Sequence, residues 1–166
     1  MKKISKIVNK CQFSNKEDLV KVLSLGFLPG VNQMEKINSK RSFEYFFPTD
    51  LVYSPSSKLF QLNNIVDKKI LFPKSYPYTS STTKILRENF KELSLEVSKL
   101  FDLKKGKDLV IDIGSNDGNL LSNFKDYRVQ GITPENIGKI AIKRGIPTIL
   151  GYFNKTSVKK ILKSKG

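Results

Sequence analysis

The sequence contains no histidine and a single cysteine, Cys11, among its 166 residues. A chain with one cysteine cannot form an internal disulfide, which agrees with a reducing compartment, and we expect a cytoplasmic protein. Residues 1–6 are basic, but no apolar run follows them, so the sequence shows no secretory signal. No apolar run approaches the length of a membrane span, and we therefore expect no membrane partner.

Acidic residues are also scarce, since 15 Asp and Glu face 30 Lys and Arg and leave a formal charge of +15. Such a charge would suit a polyanionic partner. The lysines, however, are spread from Lys2 to Lys165 without a block and without regular alternation with aromatic residues. This distribution favours a solvated lysine-rich surface over a specific nucleic-acid interface. A hydrophobic share of 39% is enough to bury a core, which argues against disorder.

The first part of the chain, from Lys3 to about Phe72, predicts a small β-rich module. Glycine and proline divide it into short segments, at Gly26, Pro29, Gly30, Pro48 and Pro55. Within it, residues 50–53 and 59–62 are two short strand-like runs that flank a five-residue loop, 54–58. This arrangement predicts a β-hairpin.

The segment after this module predicts an extended linker and then a long helix. Pro77 keeps residues 76–81 extended. Apolar residues then recur at alternating spacings of four and three, which is typical of one helix face: Leu86, Phe90, Leu93, Val97 and Leu100. Ser81 or Thr82 could cap this helix, and we expect it to end near Asp102.

The remainder alternates strand and helix patterns, which predicts a parallel sheet with right-handed crossovers. Strands are expected at 109–113, 128–132 and 148–150. Helices are expected from Asn119, over 135–144 and over 157–163. Three strands make about half of a doubly wound sheet, so we expect the chain to be a portion of a longer protein.

The segment from Asp112 to Gly118 is typical of a nucleotide-cofactor loop at the end of a strand. Gly114 lets the backbone leave the strand, and Gly118 lets the next helix begin close against a ligand. A dinucleotide fingerprint would need glycine at Asn116 and Asn119, so the spacing is Asp-x-Gly-x-x-x-Gly instead. The glycines alone would also suit any tight strand-to-helix turn. Asp112 weakens that alternative, because an acid in an apolar strand must find donors or a ligand if it is buried.

This loop resembles the first motif of class I S-adenosylmethionine-dependent methyltransferases. The order of segments along the chain is similar to the sugar C-methyltransferase family, which has a zinc-binding module, a class I methyltransferase domain and a further C-terminal domain. Five stretches carry the resemblance: 23–26 with Pro29 and Asn32, 50–62, 76–81, 112–121 and 145–148. The resemblance implies an α/β fold in which a small β-rich N-terminal module precedes the first half of a Rossmann-like sheet. It implies a degenerate zinc-binding-like module at 1–74, a linker and long helix at 75–104, and the first part of the methyltransferase domain at 105–166.

The resemblance also implies a set of cofactor-binding residues: Asp112, Gly114, Ser115, Asn116, Asp117, Gly118, Thr133 and Tyr78. Asn116 and Asp117 could equally cap the next helix. Thr133 occupies the position of the family's ribose-binding acid, which weakens that contact. Glu135 could compensate, but we favour a role at the start of the helix that follows Pro134. Tyr76 and Tyr78 could touch cofactor or substrate, or simply pack the linker.

The zinc ligands that the resemblance implies are mostly missing. Cys11 stands at the first ligand position, while Ser14, Ser54 and Ser57 stand at the other three. A serine hydroxyl stays protonated near neutral pH and is a poor zinc ligand, so we expect no zinc. We expect the hairpin to be held by packing instead, through four apolar side chains: Leu51, Tyr53, Leu59 and Leu62.

The function that the resemblance implies is methyl transfer from S-adenosylmethionine to carbon of a nucleotide-linked keto sugar. The family's tyrosine, histidine and glutamate chemistry comes from a later segment, so no catalytic residue is assigned. The expected partners are a nucleotide sugar and the missing C-terminal half, and the fragment alone is expected to be inactive. Two alternatives stay open: a non-enzymatic degenerate binding module, and a nucleic-acid methyltransferase that uses the positive charge.

Overall fold

The computed structural model describes residues 4–31, 37–38 and 44–165. Asn32, one of the residues behind the family resemblance, lies outside the described residues. The chain divides into two compact units, Met1–Leu71 and Phe72–Gly166. The architecture is mixed α/β, with a β-rich N-terminal part, as the sequence predicts.

Within the residues that the structure describes, the N-terminal unit contains five strands and a short helix. They are β1 Ser5–Ile7, β2 Val20–Pro29, β3 Phe46–Ser54, β4 Leu59–Leu62, β5 Asn64–Val66 and α1 Lys68–Leu71. Strands β2, β3 and β4 form an antiparallel sheet in that order, and β1 pairs antiparallel with β5. The predicted hairpin is confirmed, since β3 pairs with β4 in the register Val52 to Gln61.

The four apolar side chains that we expected to hold this hairpin are packed to different degrees. Leu51 and Tyr53 are partly buried, and the Tyr53 and Phe60 rings lie 4.9 Å apart across the hairpin. Leu59 and Leu62 are each nearly half exposed, at 45% and 48%. The well-buried apolar side chains of β3 are Phe47 and Val52. Because exposed apolar area contributes little to stability, Leu59 and Leu62 add little to the stability of the hairpin.

The C-terminal unit carries a three-stranded parallel sheet at the predicted positions. Its strands are β6 Leu109–Ile113, β7 Arg128–Thr133 and β8 Thr148–Leu150, in the order β6-β7-β8. Leu121, Ala141 and Ile146 form the buried core on one side of the sheet, with Val110 and Val129 packed against them. Strand β6 is an edge strand of this sheet, and Ile111 and Ile113 are exposed on it.

The long helix predicted before this sheet is confirmed as α2, Lys84–Leu100. Its start differs in detail from the prediction. Thr83 occupies the N-cap position without a side-chain hydrogen bond. Ser81 and Thr82 instead belong to a 3-10 turn, Ser80–Thr82.

The helix predicted from Asn119 is wrong, because the structure has only a 3-10 turn there, Leu121–Asn123. The Ser122 hydroxyl and the Asn123 amide both donate to the Asn119 carbonyl, at 2.7 and 3.0 Å. Short polar side chains that bond to nearby carbonyls compete with the helical pattern. This competition accounts for a single tight turn where the apolar spacing suggested a helix.

The other two helices are present with shifted starts. Helix α3 runs from Gly138 to Lys143, because residues 135–140 are joined by tighter i to i+3 bonds such as Lys139 N to Asn136 O, at 3.0 Å. Helix α4 covers Lys155–Lys165 and begins earlier than predicted. Asn154 explains that start, since its side-chain oxygen accepts from the amide of Thr156 at 2.8 Å. In the part of the chain that the structure describes, no helix combines the length and apolar character that a membrane crossing needs.

Candidate functional site

The loop after β6 is fixed at its start to the neighbouring strand. The amides of Gly114 and Ser115 both donate to the carbonyl of Ile132 in β7, at 2.8 and 3.1 Å. The loop then passes through three left-handed residues, Gly114, Asn116 and Gly118, with φ of 90°, 49° and 79°. Left-handed residues of this kind are common in anion-binding loops, although the Gly118 amide here donates to the Ser115 carbonyl at 2.9 Å.

The two glycines of the motif, Gly114 and Gly118, have different surroundings. A Cβ added at Gly114 would meet no atom within 4 Å, so this glycine faces open space. A Cβ at Gly118 would lie 2.7 Å from Ile146 Cδ1 and 2.9 Å from Ala141 Cβ. Gly118 therefore permits close packing onto the core. The helix that we expected it to start is only a 3-10 turn, and its contact with a ligand stays a prediction.

Asn116 and Asp117 bond to the linker and do not cap the following turn. The side-chain oxygen of Asn116 accepts from the Ser80 amide at 2.9 Å, and its nitrogen donates to the Tyr78 carbonyl at 3.0 Å. The Ser80 hydroxyl donates to the Asp117 carboxylate at 2.5 Å. Asn119 adds a third bond, from its amide nitrogen to the Ser80 carbonyl at 3.2 Å. Together these bonds tie the linker to residues 112–118, which we call the cofactor loop after their predicted role, and to Asn119 next to it, and we call the bonds the linker clamp.

The carboxylate at the centre of the linker clamp is fully buried and fully satisfied. Arg144 donates to it at 3.1 Å from the end of α3. Burial raises the pKa of Asp117, but hydrogen bonds from Ser80 and Ser81 and the charge of Arg144 outweigh that effect, so its pKa lies below the ordinary value. Sequence reasoning missed Ser80 and Arg144, which lie 37 and 27 residues from Asp117 and follow no local pattern.

Other polar groups of the same loop have no partner among the residues that the structure describes. The carboxylate of Asp112 is half-buried without a donor among the described residues, and this burial raises its pKa. The Ser115 hydroxyl is buried without a hydrogen bond. The amides of Asn116 and Asp117 likewise have no acceptor in the described part of the chain. Such groups cost free energy in an isolated protein and are expected where a polar ligand satisfies them.

A buried acid follows the end of β7. The Thr133 hydroxyl donates to the Glu135 carboxylate, and both residues are buried. The Glu135 carbonyl accepts from the Gly138 amide at 3.3 Å, so this residue begins the turn that leads into α3, and its carboxylate lies outside the first turn of the helix itself. Since β6 and β7 are parallel neighbours, Asp112 near the end of β6 and Glu135 after β7 lie toward the same edge of the sheet.

The tyrosines of the linker differ in exposure. The Tyr78 side chain is about half exposed, and the backbone of this residue is held by Asn116. The Tyr76 ring packs near Phe72, with the ring centroids 6.1 Å apart. Tyr76 therefore packs within the linker, whereas the Tyr78 ring is available beside the loop.

The four family positions for zinc ligands lie together in the N-terminal unit. The Cys11 sulfur lies 3.2 Å from the Ser57 hydroxyl oxygen, and Ser54 is fully buried. Among the described residues, no group of three or more histidine, cysteine or acidic residues could hold a metal ion. One thiol and three hydroxyls do not supply the charge or softness that a structural zinc site requires.

Two comparisons with known proteins cover the N-terminal unit and most of the chain, respectively. Residues 11–72 match a family described as a "putative zinc binding domain". The chain is also 28% identical over 156 residues to the C-methyltransferase NovU of Streptomyces niveus. That match covers 92% of this chain and 37% of the relative's length. Both matches support the resemblance to the sugar C-methyltransferase family, and the chain spans about a third of the length of the curated relative that it matches.

Proposed function

We propose that the chain is the N-terminal part of a methyltransferase that uses S-adenosylmethionine and acts on carbon of a nucleotide-linked keto sugar. The similarity to a C-methyltransferase supports the transferase class. The carrying observation is the group of unsatisfied polar atoms at the carboxyl end of β6, above all the unpartnered carboxylate of Asp112. Parallel sheets with crossover helices bind nucleotide ligands at this edge.

The residues present fit the cofactor. Gly114 leaves open space beside the backbone, which permits a ligand to approach closely. Asp112 and the free amides of Asn116 and Asp117 offer an acceptor and two donors, which match the ammonium and carboxylate of the methionine part. When bound, the cofactor supplies an electrophilic methyl group on a sulfonium sulfur.

Glu135 takes the role that the family gives to an acid at the end of the second strand. In our proposal its carboxylate accepts from the ribose hydroxyls, while Thr133 holds it in place through the hydrogen bond described above. The acid has therefore moved two residues along the chain, and the loss of charge at Thr133 is compensated. Cofactor contacts by Ser115 and Tyr78 belong to the same proposal.

The remaining parts of the proposal concern the longer protein. We propose a Rossmann-like domain over 105–166, preceded by the linker and helix at 75–104 and by the zinc-binding-like module at 1–74. A partner segment from the C-terminal half would complete the sheet and supply the base that removes a proton beside the sugar carbonyl. Within this chain, the residues bind and orient the cofactor, and the linker clamp holds Tyr78 beside it.

Calorimetric titration with S-adenosylhomocysteine tests the proposal on the whole chain. We expect binding by the unmodified protein and a loss of affinity of about tenfold or more in Glu135→Gln, which keeps the shape but removes the charge. Glu92→Gln is the matched control, because Glu92 is exposed on α2 and makes the same change in net charge. This control should bind as tightly as the unmodified chain.

Two results would overturn the proposal. An unmodified chain that is folded by circular dichroism yet gives no binding heat at several temperatures would remove the cofactor assignment. Equal affinity for Glu135→Gln and the unmodified chain would remove the ribose role of Glu135 and leave the loop assignment standing.

A further inference from the structure

Two turns of the N-terminal unit have the same backbone conformation. In the first, the Asn15 amide donates to the Cys11 carbonyl at 2.9 Å, and Asn15 has φ of 59°. In the second, the Lys58 amide donates to the Ser54 carbonyl at 2.8 Å, and Lys58 has φ of 56°. Each turn therefore joins residue i to residue i+4 and ends in a left-handed residue. We call them the two knuckle turns, 11–15 and 54–58.

The knuckle turns keep this shape although their side chains cannot hold the zinc that the matched family implies. A tetrahedral zinc site needs four ligands such as thiolates or imidazoles, and only Cys11 qualifies. Without a metal, the second turn needs another group that holds it to the segment of the first turn. The structure contains such a group three residues after the first turn, and it binds the second turn.

That group is the carboxylate of Asp18. The buried hydroxyl of Ser54 donates to it, with oxygen distances of 2.9 and 3.0 Å to the two carboxylate oxygens. The Ser56 amide donates to the same carboxylate at 2.9 Å. These hydrogen bonds lower the pKa of Asp18, with those from Ser56 contributing most. An ionised carboxylate accepts several hydrogen bonds at once, and each is stronger than a bond between neutral groups.

Hydroxyls and the thiol extend the contact between the two turns. The Ser14 and Ser56 hydroxyl oxygens lie 3.3 Å apart, and the Cys11 sulfur lies 3.2 Å from the Ser57 oxygen. The Ser14 amide also donates to the Cys11 sulfur at 3.4 Å. Each turn therefore contributes donors and acceptors to a single network.

We propose that Asp18, with the serines at the former ligand positions, replaces zinc as the group that joins the two knuckle turns. The serines are then the matching half of a metal-free site, because a hydroxyl can donate to a carboxylate, whereas a thiolate would repel it. The proposal explains how the hairpin end stays closed although Leu59 and Leu62 are largely exposed.

Hydrogen–deuterium exchange of the whole chain, after treatment with a chelator, tests this proposal locally. Asp18→Asn should increase deuterium uptake in peptides from both knuckle turns by about tenfold in rate, because the charged acceptor is lost. Glu17→Gln is the matched control, since this neighbouring acid is exposed and paired only with Lys10 among the described residues. The control should exchange as the unmodified chain does.

A rescue variant decides the matter even if Asp18→Asn fails to fold. In Asp18→Asn combined with Ser14→Cys, Ser54→Cys and Ser57→Cys, four thiols occupy the ligand positions. With added zinc we expect one bound metal ion per chain by elemental analysis, and protection of both turns at the level of the unmodified protein. Without zinc, both turns should exchange rapidly.

Three results would overturn the proposal. One is normal protection in Asp18→Asn. Another is a rescue variant that either binds no zinc or binds it and leaves the turns unprotected. The last is stoichiometric zinc in the unmodified protein, with protection that disappears on chelation.

Discussion

The knuckle turns and the cofactor loop are both loops that the family uses for ligands, yet their polar groups are treated in opposite ways. In the knuckle turns the hydroxyls, the thiol and the Asp18 carboxylate all find partners within the chain. In the cofactor loop Asp112 and Ser115 have none among the described residues. This difference is what we expect if the knuckle turns no longer bind a metal and the cofactor loop binds a polar ligand, because buried polar groups need partners within the protein or from a ligand.

The same distinction exists inside the cofactor loop itself. Asn116 and Asp117 direct their side chains to the linker, while their amides have no acceptor in the described structure. The side chains thus stabilise the shape of the loop, and the backbone is left for recognition. Substitutions that remove these side-chain bonds should therefore lower the free energy of unfolding. Substitutions that disturb the loop backbone should lower the affinity for the proposed cofactor.

The largest stability effect is expected at Gly118. Both Gly118→Ala and Gly114→Ala place a side chain at a left-handed residue, which costs about 1 to 2 kcal/mol. Only Gly118→Ala also drives a methyl group into Ile146 and Ala141, which should raise the total to about 2 to 4 kcal/mol. Urea unfolding measures the difference between these matched variants. Equal losses would mean that Gly118 is not a packing residue.

Titration of the same two variants with S-adenosylhomocysteine compares their affinities for the ligand. The folded Gly114→Ala protein should bind more weakly than the unmodified chain, because the new methyl group enters the space assigned to the ligand. Affinity that stays unchanged in Gly114→Ala would place the cofactor elsewhere.

A smaller loss is expected from the linker clamp. Ser80→Ala removes one donor from the buried carboxylate of Asp117, and we expect a loss of about 1 to 2 kcal/mol in unfolding free energy. Ser75→Ala, at an exposed position of the same linker, is the control and should change stability by less than about 0.5 kcal/mol. Urea unfolding of both proteins at neutral pH provides the test. A Ser80→Ala protein as stable as the control would show that the linker clamp contributes nothing.

The smallest effect on stability is expected at Asp112, where the substitution should raise stability instead of lowering it. Because burial raises the pKa of Asp112, its contribution to stability is complete below the unfolded pKa and is lost as pH rises through the folded pKa. Asp112→Asn should therefore be slightly more stable than the unmodified chain at neutral pH and equally stable near pH 3, below the ordinary value of about 3.9. Thermal unfolding across this pH range measures the gain. A loss of stability at neutral pH would mean that the carboxylate already has a stabilising partner.

Sequence patterns located the strands well, because each is a short apolar run bounded by polar or turn residues. Strands β6 and β8 match the predicted bounds, and β7 is one residue longer than predicted and ends at Thr133. Helix starts were harder to locate, because they depend on single side-chain bonds. Asn154 moves the start of α4, and the back-bonding of Ser122 and Asn123 replaces a helix by one turn.

The sequence placed the candidate site at the loop after β6, where the structure has polar groups without partners among the described residues, and its role as a cofactor site stays a prediction. The partners of the individual residues of this loop were not predicted. The rule that a buried acid needs donors was applied to Asp112, whereas the fully satisfied acid is Asp117. Its donors come from distant segments, so no local spacing reveals them. The sequence placed the ribose-binding position at Thr133, two residues before Glu135. The burial of Glu135 beside Thr133, which favours the proposed ribose role over a helix start, is visible only in the structure.

The exposed edge position of β6 also has a thermodynamic consequence. Asp112 lies on this strand, one residue before its end, so a segment that pairs with β6 would order the backbone that carries the unsatisfied carboxylate. If the proposed cofactor and such a segment both bind, the two binding events are linked, and linkage is reciprocal, so that each changes the affinity of the other by the same factor. On the proposed function, the cofactor should then promote assembly with the segment that completes the sheet.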